Sequence, residues 1–191
     1  FHMSAVLMLL WHIGIPSDSG GCMYTGLSGE QDALLKTSSE KVAVLKSANM
    51  SLGVNTLMEL LQTAAKVLAP AGLHGDRGEH HNQKLDAPSG TAIALADSMN
   101  EALDEAYSYK YDRSQERKKR DKYEIGIQAV AGGNIVGEHE VIFAGTDEVI
   151  TFKHTAYSKA IFGKGAIEAA KYLAGKPAGF YGMADVIKSA S

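Results

Sequence analysis

Residues 79–92 read "EHHNQKLDAPSGTA": two adjacent histidines, a lysine, an aspartate, a proline and a Ser-Gly-Thr step within one short stretch. A packed core does not need that mixture. Ser89, Gly90 and Thr91 stand where loop becomes helix, because the following "TAIALADSMNEALDEA" sets Ile93, Ala96, Met99 and Leu103 at helical spacing. The first amides of a helix lack internal partners and carry partial positive charge. Gly90 leaves room for close approach and Thr91 adds a hydroxyl, so this turn suits a carboxylate or phosphate. An ordinary Ser/Thr-capped helix start has the same sequence, and "PSGTA" alone does not separate the two. The neighbours do. Asp86 is placed to brace the loop and Pro88 to stiffen it. Lys84 brings an ammonium to the same turn. His80 and His81 project to opposite sides of an extended segment. Imidazole titrates near neutrality, so either is a candidate general acid. The stretch reads as a site that holds an anion and hands it a proton.

Outward from this motif the chain alternates strands and helices. "AVLMLLWHIGI", Ala5 to Ile15, is too short to span a bilayer and reads as a buried strand. Residues 16–27 read as loop, and Ser28 with Gln31 has capping-box spacing for a short helix through Leu34 and Leu35. Lys41 to Asn49 reads as a buried strand. Leu57, Leu60, Leu61, Ala64, Val67 and Leu68 then define an amphipathic helix. Residues 70–78 look like loop, and the charged run "RSQERKKRDK" looks like a solvated face. Three strand candidates follow, "YEIGIQAV", "EHEVIFAG" and "DEVITFKH", the last two joined by a turn at Gly145-Thr146-Asp147. Ile150, Phe152 and His154 share one face of the third. "GKGAIEAAKYLAG" is a final helix closed by Gly175 and Pro177. This order implies α/β or α+β, with a mostly antiparallel sheet in the second half.

The bulk properties narrow the function. With 191 residues, 45% hydrophobic and 21% charged, the chain has a globular composition large enough for a real core. A net charge of -3 gives no electrostatic reason to expect nucleic acid or an anionic membrane as partner. The single Cys22 cannot form an internal disulfide, so a cytoplasmic setting is expected. Glu79, His80, His81, Glu138 and His139 supply metal-type donors. Adjacent histidines seldom point at one ion, however, and HExxH spacing is absent, so no metal is expected. A Ser-His-Asp hydrolase is disfavoured by the missing GxSxG elbow.

Together these residues resemble the signature of the dihydrodipicolinate reductase family. Other segments fit the same family in the same order. "ANMSLGVN", from Ala48, resembles its interdomain hinge. "GGNIVGEHEVIFAG", from Gly132, resembles its strand with a Gly-Glu-His turn. "HTAYSKAIFGKGAIEAAKYLAGKPAGFYGMADVI" resembles its carboxy-terminal region. From about Thr25 onward most of the chain fits.

The resemblance implies reduction of 4-hydroxy-tetrahydrodipicolinate to tetrahydrodipicolinate in lysine and diaminopimelate biosynthesis, with NADPH or NADH as hydride source. His80 would be the proton donor, with Lys84 beside it as its catalytic companion. His81, Lys84, Ser89, Gly90 and Thr91 would bind the two carboxylates of the cyclic substrate. Lys159 occupies a place where the family often has arginine; it keeps the charge and loses the bidentate fork. Thr25 and Gly26 would lie near the nicotinamide, and Asn49, Met50 and Ser51 would line the same pocket. The implied fold is α/β. It combines a partial Rossmann-like nucleotide domain, residues 1–52 and 160–191, with an α+β substrate and oligomerisation domain, residues 53–159, containing a mixed sheet. The implied assembly is a homotetramer joined through those sheets.

The sequence also departs from the pattern. No GxxGxxG-type turn seats a pyrophosphate, Tyr24 stands where a smaller Thr is usual, and Ala131 replaces a common arginine. "LHGDRG" stands where the family has an apolar strand. The opening at Phe1 is expected not to be a natural start. Either the nucleotide half is missing from this sequence, which is the favoured expectation, or the chain is a short form that binds a dicarboxylate without catalysis.

Overall fold

The computed structural model describes residues 19–22, 28–70, 72 and 75–190. The strand expected at Ala5–Ile15 lies outside them. The elements are β1 (Ser19–Cys22), α1 (Gly29–Ser39), β2 (Ala43–Lys46), α2 (Leu52–Leu68), β3 (Gly75–His80), α3 (Gly90–Glu101), β4 (Ser108–Lys110), β5 (Glu124–Ala131), β6 (Gly137–Ala144), β7 (Val149–Ala156), α4 (Ala160–Leu173), β8 (Gly179–Tyr181) and α5 (Met183–Ser189). The fold is α/β with a mixed sheet. The chain divides into two compact units, one ending at Asn55 and resuming at Ala160, the other running Thr56–Lys159.

The first unit is built on a parallel sheet of order β1-β2-β8. Ser28 caps α1 as its spacing predicts: its hydroxyl accepts from the Gln31 amide at 3.3 Å, and its own amide donates to Gln31 Oε1 at 2.9 Å. The core gathers Leu45, Met50, Ala169, Leu173, Met183 and Val186. A central parallel strand reads as a continuous apolar run, and Ala43, Val44 and Leu45 are all buried. Helix α4 lies so close to the turn after β2 that a Cβ on Gly165 would stand 1.6 Å from the Met50 carbonyl oxygen.

The second unit is a five-stranded sheet of order β4-β5-β3-β6-β7. Helices α2 and α3 cover one face. Leu57, Leu61, Leu95 and Met99 meet Ile125, Ile127, Val141 and Phe143 there. Each such side chain contributes about 1.5–3 kcal/mol on burial. The buried stripe of α2 runs Leu57, Leu61 and Ala65 and continues to Ala69 just past its end, whereas Leu60 and Val67 are 54% and 71% exposed, so the apolar face is narrower than the sequence pattern suggested.

Several expectations need correction. Residues 16–27 contain β1, and residues 70–78 contain most of β3, which is the central strand of its sheet. "GDRGEH" has little strand propensity. It is extended because both its edges are paired, parallel to β5 and antiparallel to β6. Its first residue needs to be glycine: Gly75 has φ +121°, and a Cβ there would lie 1.7 Å from the Gly126 carbonyl oxygen. Strands β4 and β8 have three residues each and leave no readable period. Nor was α5 marked in the sequence. The charged run is not simply solvated. Arg113 donates to both oxygens of buried Glu124 at 2.7 and 2.8 Å, and Arg120 donates to the Glu124 carbonyl at 2.7 Å. A buried carboxylate is stable only when paired in this way. Among the described residues no helix is long and apolar enough to cross a membrane.

The Gly165 contact gives a direct test. Gly165→Ala should lower stability by at least about 1–3 kcal/mol through overpacking against Met50. Gly163→Ala, in the same helix with nothing within 4 Å of the added carbon, should instead be neutral or stabilising by up to about 1 kcal/mol. Chemical denaturation of the two variants checks the difference.

Candidate active site

The carboxyl end of β3 delivers His80 to one end of the sheet. Side chains alternate along a strand, so Asp76, Gly78 and His80 share the helix-covered face, and Arg77 and Glu79 take the other. Register then selects the neighbours. Gly78 pairs with His139 of β6, and His139 pairs with His154 of β7. The missing side chain at Gly78 leaves a space that imidazoles fill: a Cβ there would lie 3.2 Å from His139 Cε1 and 3.4 Å from His80 Cε1. The His80 and His139 rings meet edge-on, with centroids 5.1 Å apart.

Beyond His80 the chain is pinned to the adjacent turn. Gly132 donates its amide to the His80 carbonyl at 2.9 Å, and Asn82 donates to the Gly133 carbonyl at 3.2 Å. A bend closed by Lys84 N–H to the His81 carbonyl, 3.2 Å, turns Lys84 back. Its side chain is only 21% exposed, and its ammonium lies 2.7 Å from Asp86 Oδ1. That hydrogen bond, with help from the amides of Asp86 and Gly90, holds the Asp86 carboxyl below the usual carboxylate range. Ser89 is the N-cap of α3, and its hydroxyl accepts from the Ala92 amide at 3.0 Å. Two of the first donors of α3 are thus engaged by Asp86 and Ser89. Thr91 is the second residue of the helix and is partly buried.

The other expected site residues are placed as follows. Lys159 is exposed just after β7. The strand end it follows, Ala156, pairs with Gly137, whose added Cβ would lie 3.7 Å from the His80 ring. Lys159 therefore stands near the histidine end of the sheet. In the first unit, Asn49, Met50 and Ser51 form a buried turn after β2, exposed by 8%, 3% and 2%. Asn49 Oδ1 accepts from the Ser51 amide at 2.8 Å, and Asn55 Nδ2 donates to the carbonyls of Asn49 and Ser51. Thr25 and Gly26 lie outside the described residues.

Sequence reasoning missed the groups beneath the histidines. In the sequence His139 stands out as a metal-type donor and as part of a strand, and Asp76 falls in a loop-like stretch. Ser89 Oγ lies 3.3 Å from His139 Nε2, and His139 Nδ1 lies 3.1 Å from Asp76 Oδ2. The signal available was the alternation of β6, which puts His139 on the face of buried Val141 and Phe143. Among the described residues no cluster of side chains is suited to a metal ion. A separate depression of about 410 Å³ toward the carboxyl end of α3 is lined by Asp97, Asn100, Glu101, Glu105, Tyr107 and Tyr109. Its carboxylates repel an anion, so the histidine end is the better candidate.

Burial pushes the His80 imidazole down from 6.5 to about 4, helped by His139, Lys84 and His81 and opposed by Asp86. Burial, with His139, also lowers His154. Between pH 6.5 and about 4 the unfolded chain therefore binds a proton at His80 that the folded chain does not. Stability rises with pH across that window and is lost as acid is added. A ring-proton titration should place the His80 midpoint near 4, and the denaturation midpoint should fall between pH 6.5 and 4, less steeply in His80→Asn. A His80 midpoint near 6.5 would contradict the packing described.

Comparison with known proteins identifies the family. Residues 53–187 match the family model described as dihydrodipicolinate reductase, C-terminus. The 4-hydroxy-tetrahydrodipicolinate reductase of Caldanaerobacter subterraneus is 49% identical over 86% of this chain and 65% of its own length. That of Clostridium tetani is 45% identical over 86% and 64%, and that of Staphylococcus epidermidis 48% over 81% and 65%. The chain thus spans just under two thirds of these relatives. A dipicolinate-bound dihydrodipicolinate reductase from Paenisporosarcina sp. TG-14 shares the fold, with a TM-score of 0.67 at 22% identity, over 87% of this chain and 64% of that one. With a family model matched over most of its length and the signature residues gathered at one end of a mixed sheet, the chain belongs to the dihydrodipicolinate reductase family.

Proposed function

We propose that this chain carries the substrate-binding part of a 4-hydroxy-tetrahydrodipicolinate reductase of lysine and diaminopimelate biosynthesis. The observation that carries this reading is the convergence of His80, His81, Lys84 and the amino terminus of α3 at one end of a sheet, within 12 residues of sequence. One ammonium, two imidazoles and helix amides are a cationic grip suited to a small dicarboxylate. The relatives named above are reductases of that kind, and the solved structure with this fold is described as dipicolinate-bound.

In this reading Lys84 exchanges its internal carboxylate, Asp86, for a carboxylate of the ligand. Gly90 and Thr91 receive the same or the second carboxylate, with His81 and Lys159 at the rim. His80 then gains what it lacks in the unliganded fold. Its ring is neutral at pH 7 because burial and neighbouring cations disfavour the charged form. A dianion close by favours it, so the ring takes up a proton as the ligand binds and can deliver that proton to the reduced ring.

A nicotinamide, NADPH or NADH, supplies the hydride when bound. The described residues fit that group in part. The buried turn at Asn49, Met50 and Ser51 follows a parallel strand, the place where α/β sheets seat such ligands. The exposed face of the five-stranded sheet, with Val130 48% and Val149 63% exposed beside charged side chains, is the candidate surface for a homotetramer.

Calorimetry of this chain with pyridine-2,6-dicarboxylate tests the reading. Binding is expected, with proton uptake at neutral pH. Lys84→Ala should weaken it roughly tenfold or more, the loss of one charge-assisted hydrogen bond. In the complete enzyme, His80→Ala with Lys84→Ala should reduce turnover by at least about 100-fold. No binding, or undiminished affinity in Lys84→Ala, would refute the assignment.

A further inference from the structure

Asp76, His139 and Ser89 form an unbroken line of side chains beneath His80. All three are buried, with exposures of 2%, 4% and 4%. With Asp76 ionised and the His139 ring neutral, each hydrogen bond has one direction. An ionised carboxylate only accepts, so His139 Nδ1–H donates to Asp76 Oδ2 across 3.1 Å. In the neutral ring Nε2 is then an acceptor, and the Ser89 hydroxyl donates to it across 3.3 Å. The Ser89 oxygen in turn accepts from the Ala92 amide. In that arrangement Asp76, His139, Ser89 and the Ala92 amide are joined in sequence.

A purely structural role explains this poorly. Asp76 Oδ1 is buried and has no hydrogen-bond partner among the described residues. A carboxylate half-satisfied in the central strand is destabilising beside an apolar residue of similar size. The same residue types make a hydrolase triad elsewhere, but here the serine oxygen is buried within a helix cap and cannot attack a ligand. The line instead touches both halves of the site. Ser89 holds the first turn of α3, and His139 stacks edge-on against His80.

We propose that Asp76 and His139 are positioning residues that orient the Ser89 hydroxyl, and through it the first turn of α3, for a ligand carboxylate, while the His139 ring fixes that of His80. This rests on the dicarboxylate reading above. Asp76 does not touch the ligand: its side chain has no exposed surface.

The test combines nitrogen NMR of the histidine rings with calorimetry using pyridine-2,6-dicarboxylate. The wild-type His139 ring is expected in the Nδ1–H form. Asp76→Ala should mix the tautomers and weaken binding at least tenfold. Asp76→Asn, which keeps an acceptor oxygen, should recover part of the affinity. Ser89→Ala should show the same weakening with the Asp–His pair intact, and Ser89→Thr should restore binding. If Asp76→Ala does not fold, the wild-type tautomer and the two Ser89 variants decide. An Nε2–H ring in the wild type, or a folded Asp76→Ala that binds within twofold of the wild type, overturns the proposal alone. A wild-type protein that does not bind the dicarboxylate overturns the functional reading and the proposal with it.

Discussion

The second unit depends on how the start of α3 is tied to the sheet. Ser89 makes that tie with one hydroxyl, capping the helix through Ala92 and reaching His139 on β6. The tie is possible because β3, in the centre, carries glycine opposite His139. A Cβ at Gly78 would crowd the His139 ring and touch that of His80. The pairing of β3 therefore decides where the imidazoles sit. One of them, His139, meets the residue that caps α3, and in the proposed function that helix start receives the anion.

The unliganded site balances its charges internally. Lys84 faces Asp86, Asp86 also accepts from the Gly90 amide, and His80 is held neutral at pH 7 by burial and by its cationic neighbours. A dianion entering this arrangement competes with Asp86 for the ammonium and reverses the electrostatic pressure on His80. In the proposed function, ligand binding and readiness to donate a proton are one event. A neutral imidazole beside a lysine also avoids two adjacent positive charges when no ligand is bound.

Much of this was legible in the sequence where interactions are local. The Ser28–Gln31 capping box, the cap at Ser89, the β6–β7 hairpin and the grouping of His80, His81 and Lys84 all arise within a few residues, and spacing reveals them. The central strand was not legible, because "GDRGEH" is extended through its partners and not through its own propensity. Asp76 and His139 are 63 residues apart, and Arg113 and Glu124 meet across a loop that composition alone marks as solvated. The buried polar turn at Asn49–Ser51 was noticed only through family resemblance, since its hydrogen bonds run through Asn55 on the next helix. Long-range pairing chose which polar residues became interior, and no periodicity records that choice.

The most direct measurement is a crystal structure of this chain with pyridine-2,6-dicarboxylate. The account predicts one carboxylate at the first turn of α3, with Lys84 moved from Asp86 to the ligand and the His80 ring beside it, still edge-on to His139. A ligand bound elsewhere, with the Lys84–Asp86 pair intact and His80 turned away, would contradict it.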